Sequence, residues 1–331
     1  MTVLESQSII DHDHASCVGR GPSLPLVSIY IPTKNRLALL QRAVESVFQQ
    51  TYPNIELIVT DDGSTDGSRD YLASLANQGR LKAIFMPQSG GACAARNAAI
   101  EMSTGEFVTG LDDDDHLLAF RIEQFVERWQ ALDISSDDRI AGLFSAAVRV
   151  SKKDEIVVFG SALRVASETL RLGNSIGNQV FAPRENFLDA GLFDVTLACW
   201  QDWDMWLRMS ERHGDFIGNP EPSYVWDIAH EQGRISDQAE QRIRVGSARF
   251  AEKHGFRSHA ESAVIVVSLA GYKAVQLSLR ECAVLIRSGN GATLVAHELR
   301  RLFGETAFVR FWKLFRMFKT IGRKKSVALA T

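Results

Sequence analysis

Short continuous apolar runs alternate with segments of helical period over the first third of the chain. "LVSIYIP" (26–32) is rich in β-branched residues and stopped by Pro32, which predicts a fully buried strand. "ALLQRAVESVFQQ" (38–50) places Leu39, Leu40, Ala43, Val44 and Val47 at helical spacing. A second buried strand, "IELIVTDDGSTDGS" (55–68), ends in carboxylates and glycines. A helix over about 69–78, a strand "LKAIFMP" (81–87), a Gly-led helix "GGACAARNAAIEMS" (90–103) and a strand over 106–111 continue the pattern.

Such alternation predicts an α/β fold: a Rossmann-like, mainly parallel central sheet with helices on both faces. Ligands of such sheets bind at the carboxyl ends of the strands. Polar clusters stand at several of those ends, "PTKN" (32–35), "DDGS" (61–64) and "DDDD" (112–115). After residue 145 the pattern loosens, with a strand pair expected around "LFSAAVRV" and "IVVFG". The tryptophan-rich "CWQDWDMWLRMSERHG" (199–214) follows, and past about 240 the pattern is helical. The expected organisation is a loose polar tail over 1–24, one α/β domain over 25–240, and a helical C-terminal region over 241–331.

Bulk composition narrows the function classes. The 331 residues are 45% hydrophobic and 23% charged, an ordinary globular balance. A net charge of −3 gives no support to a nucleic-acid role. Four scattered cysteines, Cys17, Cys93, Cys199 and Cys282, form no C-x-x-C pair and suit a reducing compartment. The N-terminus has no basic region and apolar core of a signal peptide, and the run "AVIVVSLAGY" (263–272) is too short to span a bilayer. A cytoplasmic protein is expected, with a possible peripheral membrane contact through "AFVRFWKLFRMFKTIGRKK" (307–325). There Phe308, Phe311, Trp312, Leu314, Phe315, Phe318 and Ile321 fall on one side of a helical projection, opposite Arg310, Lys313, Arg316, Arg323 and Lys324. A basic amphipathic helix of this kind lies on an anionic membrane or packs on protein.

The chemistry is in the acidic clusters. Four adjacent carboxylates, Asp112 to Asp115, repel one another and suit either a solvated acidic turn or a divalent cation. Mg²⁺ or Mn²⁺ takes oxygen ligands, typically one or two carboxylates completed by water and phosphate. An EF-hand is excluded, because Ala73 stands where the bidentate Glu belongs. "GGACAARN" sets Arg96 and Asn97 in a helix behind two glycines, fit for a phosphate, but neither G-x-G-x-x-G nor a P-loop is present. "VTDDGSTDGS" alone also reads as a turn and helix N-cap. Asp202 and Asp204 sit among three tryptophans on one helix but on different faces, so one can look into a cleft while the other faces away. Read alone, that segment is also a core helix with a capping aspartate.

The order of the blocks "VSIYIPTKNR", "SVFQQTYPNIELIVTDDGSTDGS", "GGACAARNAAIEMSTGEFVTGLDDDD" and "FDVTLACWQDWDMWLR" resembles family-2 glycosyltransferases of the GT-A fold, over residues 26 to about 236. The resemblance implies inverting transfer of a sugar from a nucleoside diphosphate, typically UDP, to a hydroxyl of a glycan or lipid-linked acceptor, with Mn²⁺ or Mg²⁺. It places Pro32, Thr33 and Asn35 at the nucleoside, Asp62 on the base, and Arg96 near the phosphates or sugar. Asp112 and Asp114 become the D-x-D motif, Asp112 at the ribose and metal shell and Asp114 on the metal, with Asp113 and Asp115 as the alternative register. Asp202 matches the general base, His230 a histidine that reaches the metal or diphosphate, and Trp200, Gln201 and Trp203 fall on the acceptor side.

Two positions depart from the family pattern. Gln201 replaces the usual glutamate before the base, and Lys34 replaces a frequent aromatic. The Q-x-x-R-W motif of processive synthases is absent, since Gln124 and Arg128-Trp129 are one residue too far apart. Addition of one or a few sugars is therefore expected. Competing classes are a sugar-phosphate nucleotidyltransferase, disfavoured because "PTKNR" has no glycine, a non-catalytic nucleotide-sugar binder, and a membrane-recruitment protein.

Overall fold

The computed structural model describes residues 24–132, 139–151, 155–158, 162–229 and 239–303. In chain order these form β1 (Val27–Thr33), α1 (Leu37–Phe48), β2 (Ile55–Asp61), α2 (Ser68–Asn77), β3 (Lys82–Phe85), α3 (Ala92–Met102), β4 (Phe107–Gly110), β5 (His116–Leu117), α4 (Arg121–Gln130) and β6 (Ile140–Val150). There follow β7 (Glu155–Val158), β8 (Arg164–Val165), α5 (Ser167–Leu170), β9 (Phe181–Pro183), α6 (Arg184–Asp189), α7 (Gln201–His213), β10 (Asp215–Asp227), α8 (Glu240–Lys253), α9 (His259–Leu269), α10 (Leu279–Arg287) and α11 (Gly291–Phe303).

The main sheet runs β3-β2-β1-β4-β9-β6-β10-β5. Its first four strands are all parallel, as the alternation of strand and helix requires. β1 is buried at all seven positions because it is central and covered on both faces. Strand alternation divides its side chains between two cores. Val27, Ile29 and Ile31 pack with Leu40, Val44 and Leu72, whereas Tyr30 meets Ile100, Val180 and Trp206.

The second half of the sheet is mixed. β6 and β10 are parallel, but β9 enters between β4 and β6 antiparallel to both, and β5 and β8 run antiparallel to β10. These return strands are two or three residues long and carry no period of their own, so no pattern announced them. The expected pair after residue 145 is present as the antiparallel ladder of β6 and β7.

The C-terminal helices lie against the α/β body. Phe250 of α8 packs on Trp203 at a tilt of 37° with centroids 4.5 Å apart and meets Trp200 edge-on at 5.5 Å. Gly246 permits that approach, because a Cβ there would lie 2.9 Å from Cys199 Sγ. Capping boxes begin α9 (Ser258 with Glu261) and α10 (Ser278 with Glu281). Among the described residues no helix is long and apolar enough to cross a membrane. The segment 307–325 and the tail 1–23 lie outside the described residues.

One ionisable group ties the edge of the parallel half together. Glu56 on β2 accepts from Ser28, Lys82 and the Thr104 N–H and hydroxyl. Burial works against its charge, but those donors outweigh it and hold the carboxyl down at about 2, below the ordinary 4.5. A depressed folded value stabilises above the unfolded pKa, and that stabilisation is lost as pH falls from about 4.5 towards 2. Acid titration of unfolding free energy should therefore be less steep for Glu56→Gln than for wild type in that window. Equal slopes would mean that Glu56 is not a source of acid lability.

Candidate active site

The ends of β1, β2 and β4 stand side by side, with Thr33 in register with Asp61 and Tyr30 with Gly110. Pro32 is buried within β1, which runs one residue further than expected, and Thr33, which ends the strand, donates from Oγ1 to Asp113 at 2.8 Å. Asn35 adopts a left-handed φ of 53°, which an asparagine tolerates better than most residues. Its N–H donates to Ser64 Oγ (2.8 Å) and its Oδ1 accepts from Thr65 N–H (2.7 Å), so the β1 and β2 ends are sewn together. Asp62 accepts from Ser89 Oγ at 2.7 Å and from the N–H groups of Gly90 (2.6 Å) and Gly91 (3.0 Å). It pins the glycine turn that opens α3. Lys34 reaches the same turn, donating to Ser89 Oγ at 2.8 Å.

The acidic cluster follows β4. Gly110 is required there: a Cβ would fall 2.3 Å from the Tyr30 ring and 2.0 Å from Gln179 Oε1. Through that gap the Tyr30 hydroxyl donates to Gln179 Oε1 (2.9 Å), and Gln179 Nε2 in turn donates to Asp112 (3.1 Å). Asp112 also accepts from Arg96 Nη2 and Asn178 Nδ2, each at 2.9 Å. Arg36 bridges Asp113 (2.9 Å) and Asp114 (3.1 Å). Arg42 donates to the Asp114 carbonyl and pairs with Asp227. Asp115 accepts from the Tyr224 hydroxyl (2.7 Å) and the Asp227 N–H (2.9 Å).

The four carboxylates are thus unlike one another. Side-chain exposure is 22% for Asp112 and 12% for Asp114, against 8% for Asp113. Burial pushes the Asp113 carboxyl up to about 6, with Arg36 and Thr33 opposing it. Burial, then the charges of Asp112 and Asp114, carry Asp115 well above the ordinary carboxylate range. The chemistry of the cluster fits a divalent cation that takes one or two carboxylates and completes its shell from a diphosphate. Among the described residues no group of three or more His, Cys, Asp or Glu is arranged to hold a metal ion.

The third component is the start of α7. Trp200, in the position before the helix, has φ 60° and ψ 28°, a strained conformation for a bulky side chain. Its ring is fixed by Trp203 and Phe250, and its carbonyl accepts from Asp204 N–H at 2.8 Å. Asp202, two residues later, is partly exposed and accepts from Asn174 Nδ2 at 3.1 Å. Burial raises its pKa; Arg96 lowers it and Asp112 raises it, which sets the three groups in one electrostatic neighbourhood. Asp204 points into the protein and is fully buried. It accepts from Arg208 Nη2 (2.6 Å), Lys253 (2.8 Å) and His254 Nε2 (2.9 Å). Burial works against the charge of Asp204, but the bonds from His254 and Arg208 prevail and hold it well below the usual range.

The segment 174–179 joins the two halves, because Asn174 holds Asp202 while Asn178 and Gln179 hold Asp112. Thr33, Arg96, Asp112, Asp113, Asp114 and Asp202 therefore belong to one connected region. Trp203 does not face it: the residue is 3% exposed and its indole N–H donates to the Leu170 carbonyl at 2.6 Å. Gln201 turns back to the Leu197 carbonyl at 3.0 Å. His230 lies outside the described residues. Sequence reasoning missed Arg36, Asn174, Asn178, Gln179 and Tyr224. Arg36 ends the quoted block "VSIYIPTKNR" but was given no role; the two asparagines and Gln179 sit in an aperiodic stretch with no signal.

The family profile "Glycosyl transferase family 2" matches residues 28–159. A protein of Escherichia coli (strain K12) named as a colanic acid biosynthesis glycosyl transferase, WcaA, is 33% identical over 232 residues, covering 70% of this chain and 81% of that one. The chain belongs to glycosyltransferase family 2. It spans a smaller part, 33% and 31%, of two longer rickettsial glycosyltransferases that it also matches.

Solved structures agree on the GT-A fold of this glycosyltransferase. Residues 1–349 of S. aureus TarS in complex with UDP-GlcNAc superpose with a TM-score of 0.57 at 15% identity, covering 88% of this chain and 92% of that one. The mannosyltransferase PcManGT of Pyrobaculum calidifontis, in complex with GDP-Man and Mn²⁺, gives 0.54 at 19% identity, covering 85% and 88%.

Proposed function

We propose that this enzyme is an inverting, metal-dependent glycosyltransferase that moves a sugar from a UDP-sugar to a hydroxyl of a bacterial-type surface glycan or lipid-linked acceptor. The observation that carries the reading is the linkage of Asp202, through segment 174–179, to the Asp112–Arg96 pair. A base and a diphosphate-binding cluster fixed to one backbone segment are what a single displacement needs.

In this reading Pro32, Thr33 and Asn35 border the nucleoside, and Asp62 reaches the base once Ser89 yields its hydrogen bond. Arg96 contacts the phosphates or the sugar. Asp112 and Asp114, the two more accessible carboxylates, form the working D-x-D pair, with Asp112 at the ribose and Asp114 on Mn²⁺ or Mg²⁺. His230 would complete the metal or diphosphate contacts. The bound cation supplies neutralisation of the departing diphosphate. The acceptor oxygen attacks the anomeric carbon from the face opposite the diphosphate, the bond from that carbon to the phosphate oxygen breaks, and the hydroxyl proton passes to Asp202. Gln201 and Trp200 stand on the acceptor side. The names of WcaA, a colanic acid protein, and of the UDP-GlcNAc complex of TarS support the substrate classes. Localisation at the cytoplasmic face of the membrane is part of the same proposal.

The test is release of nucleoside diphosphate from UDP-, GDP- and dTDP-sugars, with and without Mn²⁺ or Mg²⁺, using crude membrane lipid as acceptor. Turnover of one donor, dependent on metal and abolished by Asp114→Ala, is the expected result. A donor that binds but turns over equally in chelator would sink the metal-dependent reading. A donor that binds and never turns over would favour a non-catalytic binder.

A further inference from the structure

Against segment 174–179 lies a small cavity lined by Arg121, Ser145, Asn178, Gln179, Tyr224 and Trp226 among others. Arg121 is 1% exposed. Its Nη1 donates to Ser145 Oγ (2.7 Å) and Ser223 Oγ (3.0 Å), and its guanidinium lies over the rings of Phe125 (4.5 Å) and Tyr224 (5.2 Å). Its Nε is buried without a hydrogen-bond partner. Arg36 and Arg96 each pair with carboxylates, but among the described residues none pairs with Arg121. The carboxylate bordering this region, Asp115, is engaged by the Tyr224 hydroxyl and the Asp227 N–H.

Burying a cation is costly unless an opposite charge compensates it, and hydroxyls and aromatic faces compensate only in part. Burial lowers the Arg121 pKa to about 10, which leaves it protonated at neutral pH. The cavity, about 20 Å³, has room for one guest of roughly the size of a water molecule. A tetrahedral oxyanion is too large for it. Water fits but brings no charge.

We propose that this cavity is a site for one small monovalent anion of halide size, chloride being the probe, held against Arg121 as its missing counter-charge. An anion there braces segment 174–179, and through Asn174, Asn178 and Gln179 it steadies Asp202 and Asp112. The role of the site is structural.

The experiment is thermal unfolding of the full chain in sodium chloride against sodium gluconate at constant ionic strength, repeated with bromide and with sulfate. A ligand that binds only the folded state adds to stability by mass action, so above saturation each tenfold rise in chloride should raise the folding constant about tenfold. Bromide should replace chloride, and sulfate and gluconate should not. Arg121→Met should lose the dependence. Since that variant can fail to fold, wild-type crystals grown in bromide provide a second readout, an anomalous peak beside Arg121. Chloride-independent unfolding together with no bromide peak, a cavity of water only, overturns the proposal. So does a chloride effect that persists in folded Arg121→Met, which would put the anion elsewhere.

Discussion

Asp202→Asn should abolish sugar transfer while leaving donor binding and the fold nearly as they are. The substitution keeps the size of the side chain and a carbonyl that can still accept from Asn174, so the start of α7 stays in place. What disappears is the capacity to take a proton from the acceptor. Removal of a positioned general base costs about 10²–10⁴ in rate. The loss should fall on kcat, with donor Kd by titration calorimetry within about twofold of wild type, because Asp202 contacts the acceptor rather than the nucleotide in the proposed arrangement. Burial raises the Asp202 pKa, so the acid limb of the wild-type rate profile should lie above the ordinary aspartate value of about 3.9. Its sign follows from the role: the base works when deprotonated, and activity rises as pH climbs through that value. A variant that retains even a tenth of wild-type transfer would remove Asp202 from the role of base.

The parallel half of the fold was legible because buried parallel strands are continuous apolar runs, as in "LVSIYIP", and their helices repeat at 3.6 residues. Its polar ends were legible for the same reason: an apolar run that stops in carboxylates marks where a sheet meets solvent or a ligand. The mixed half was not. β9 is three residues long with Pro183 at its end, and it is held in place by neighbours far along the chain, Val108 and Leu143, rather than by local preference. Within the acidic cluster, type and spacing identified the candidates but not their differences. Arg36 bridges Asp113 and Asp114 and Tyr224 binds Asp115, and contacts over 77 to 109 residues of sequence leave no local trace. The expectation that Asp202 and Asp204 face different ways was sound, since it followed from helix geometry alone. That Trp203 belongs to the core followed only from the packing of α8, a helix some forty residues away.

Asp204→Ala should do the reverse of Asp202→Asn, destabilising the protein strongly. Asp204 is the one acceptor shared by Arg208, Lys253 and His254, and it is wholly enclosed. Its removal strands partly buried positive charge between α7 and α8. Breaking a buried pair by deleting one partner typically costs about 3–5 kcal/mol. Some of that is recovered here, because Arg208 keeps the Ala190 and Leu192 carbonyls and Lys253 keeps Asp194. A loss of about 3 kcal/mol is therefore expected, which for a chain of this size lowers the thermal midpoint by roughly 4–5 °C. Asp204→Asn should lose less, since its carbonyl can still accept from one donor. The same hub anchors α8 against Trp200 and Trp203, so α8 amides should lose hydrogen-exchange protection before those of β1 and β2. An unchanged midpoint in Asp204→Ala would mean that solvent reaches the hub and compensates its charges, and that α8 is held by its aromatic contacts alone.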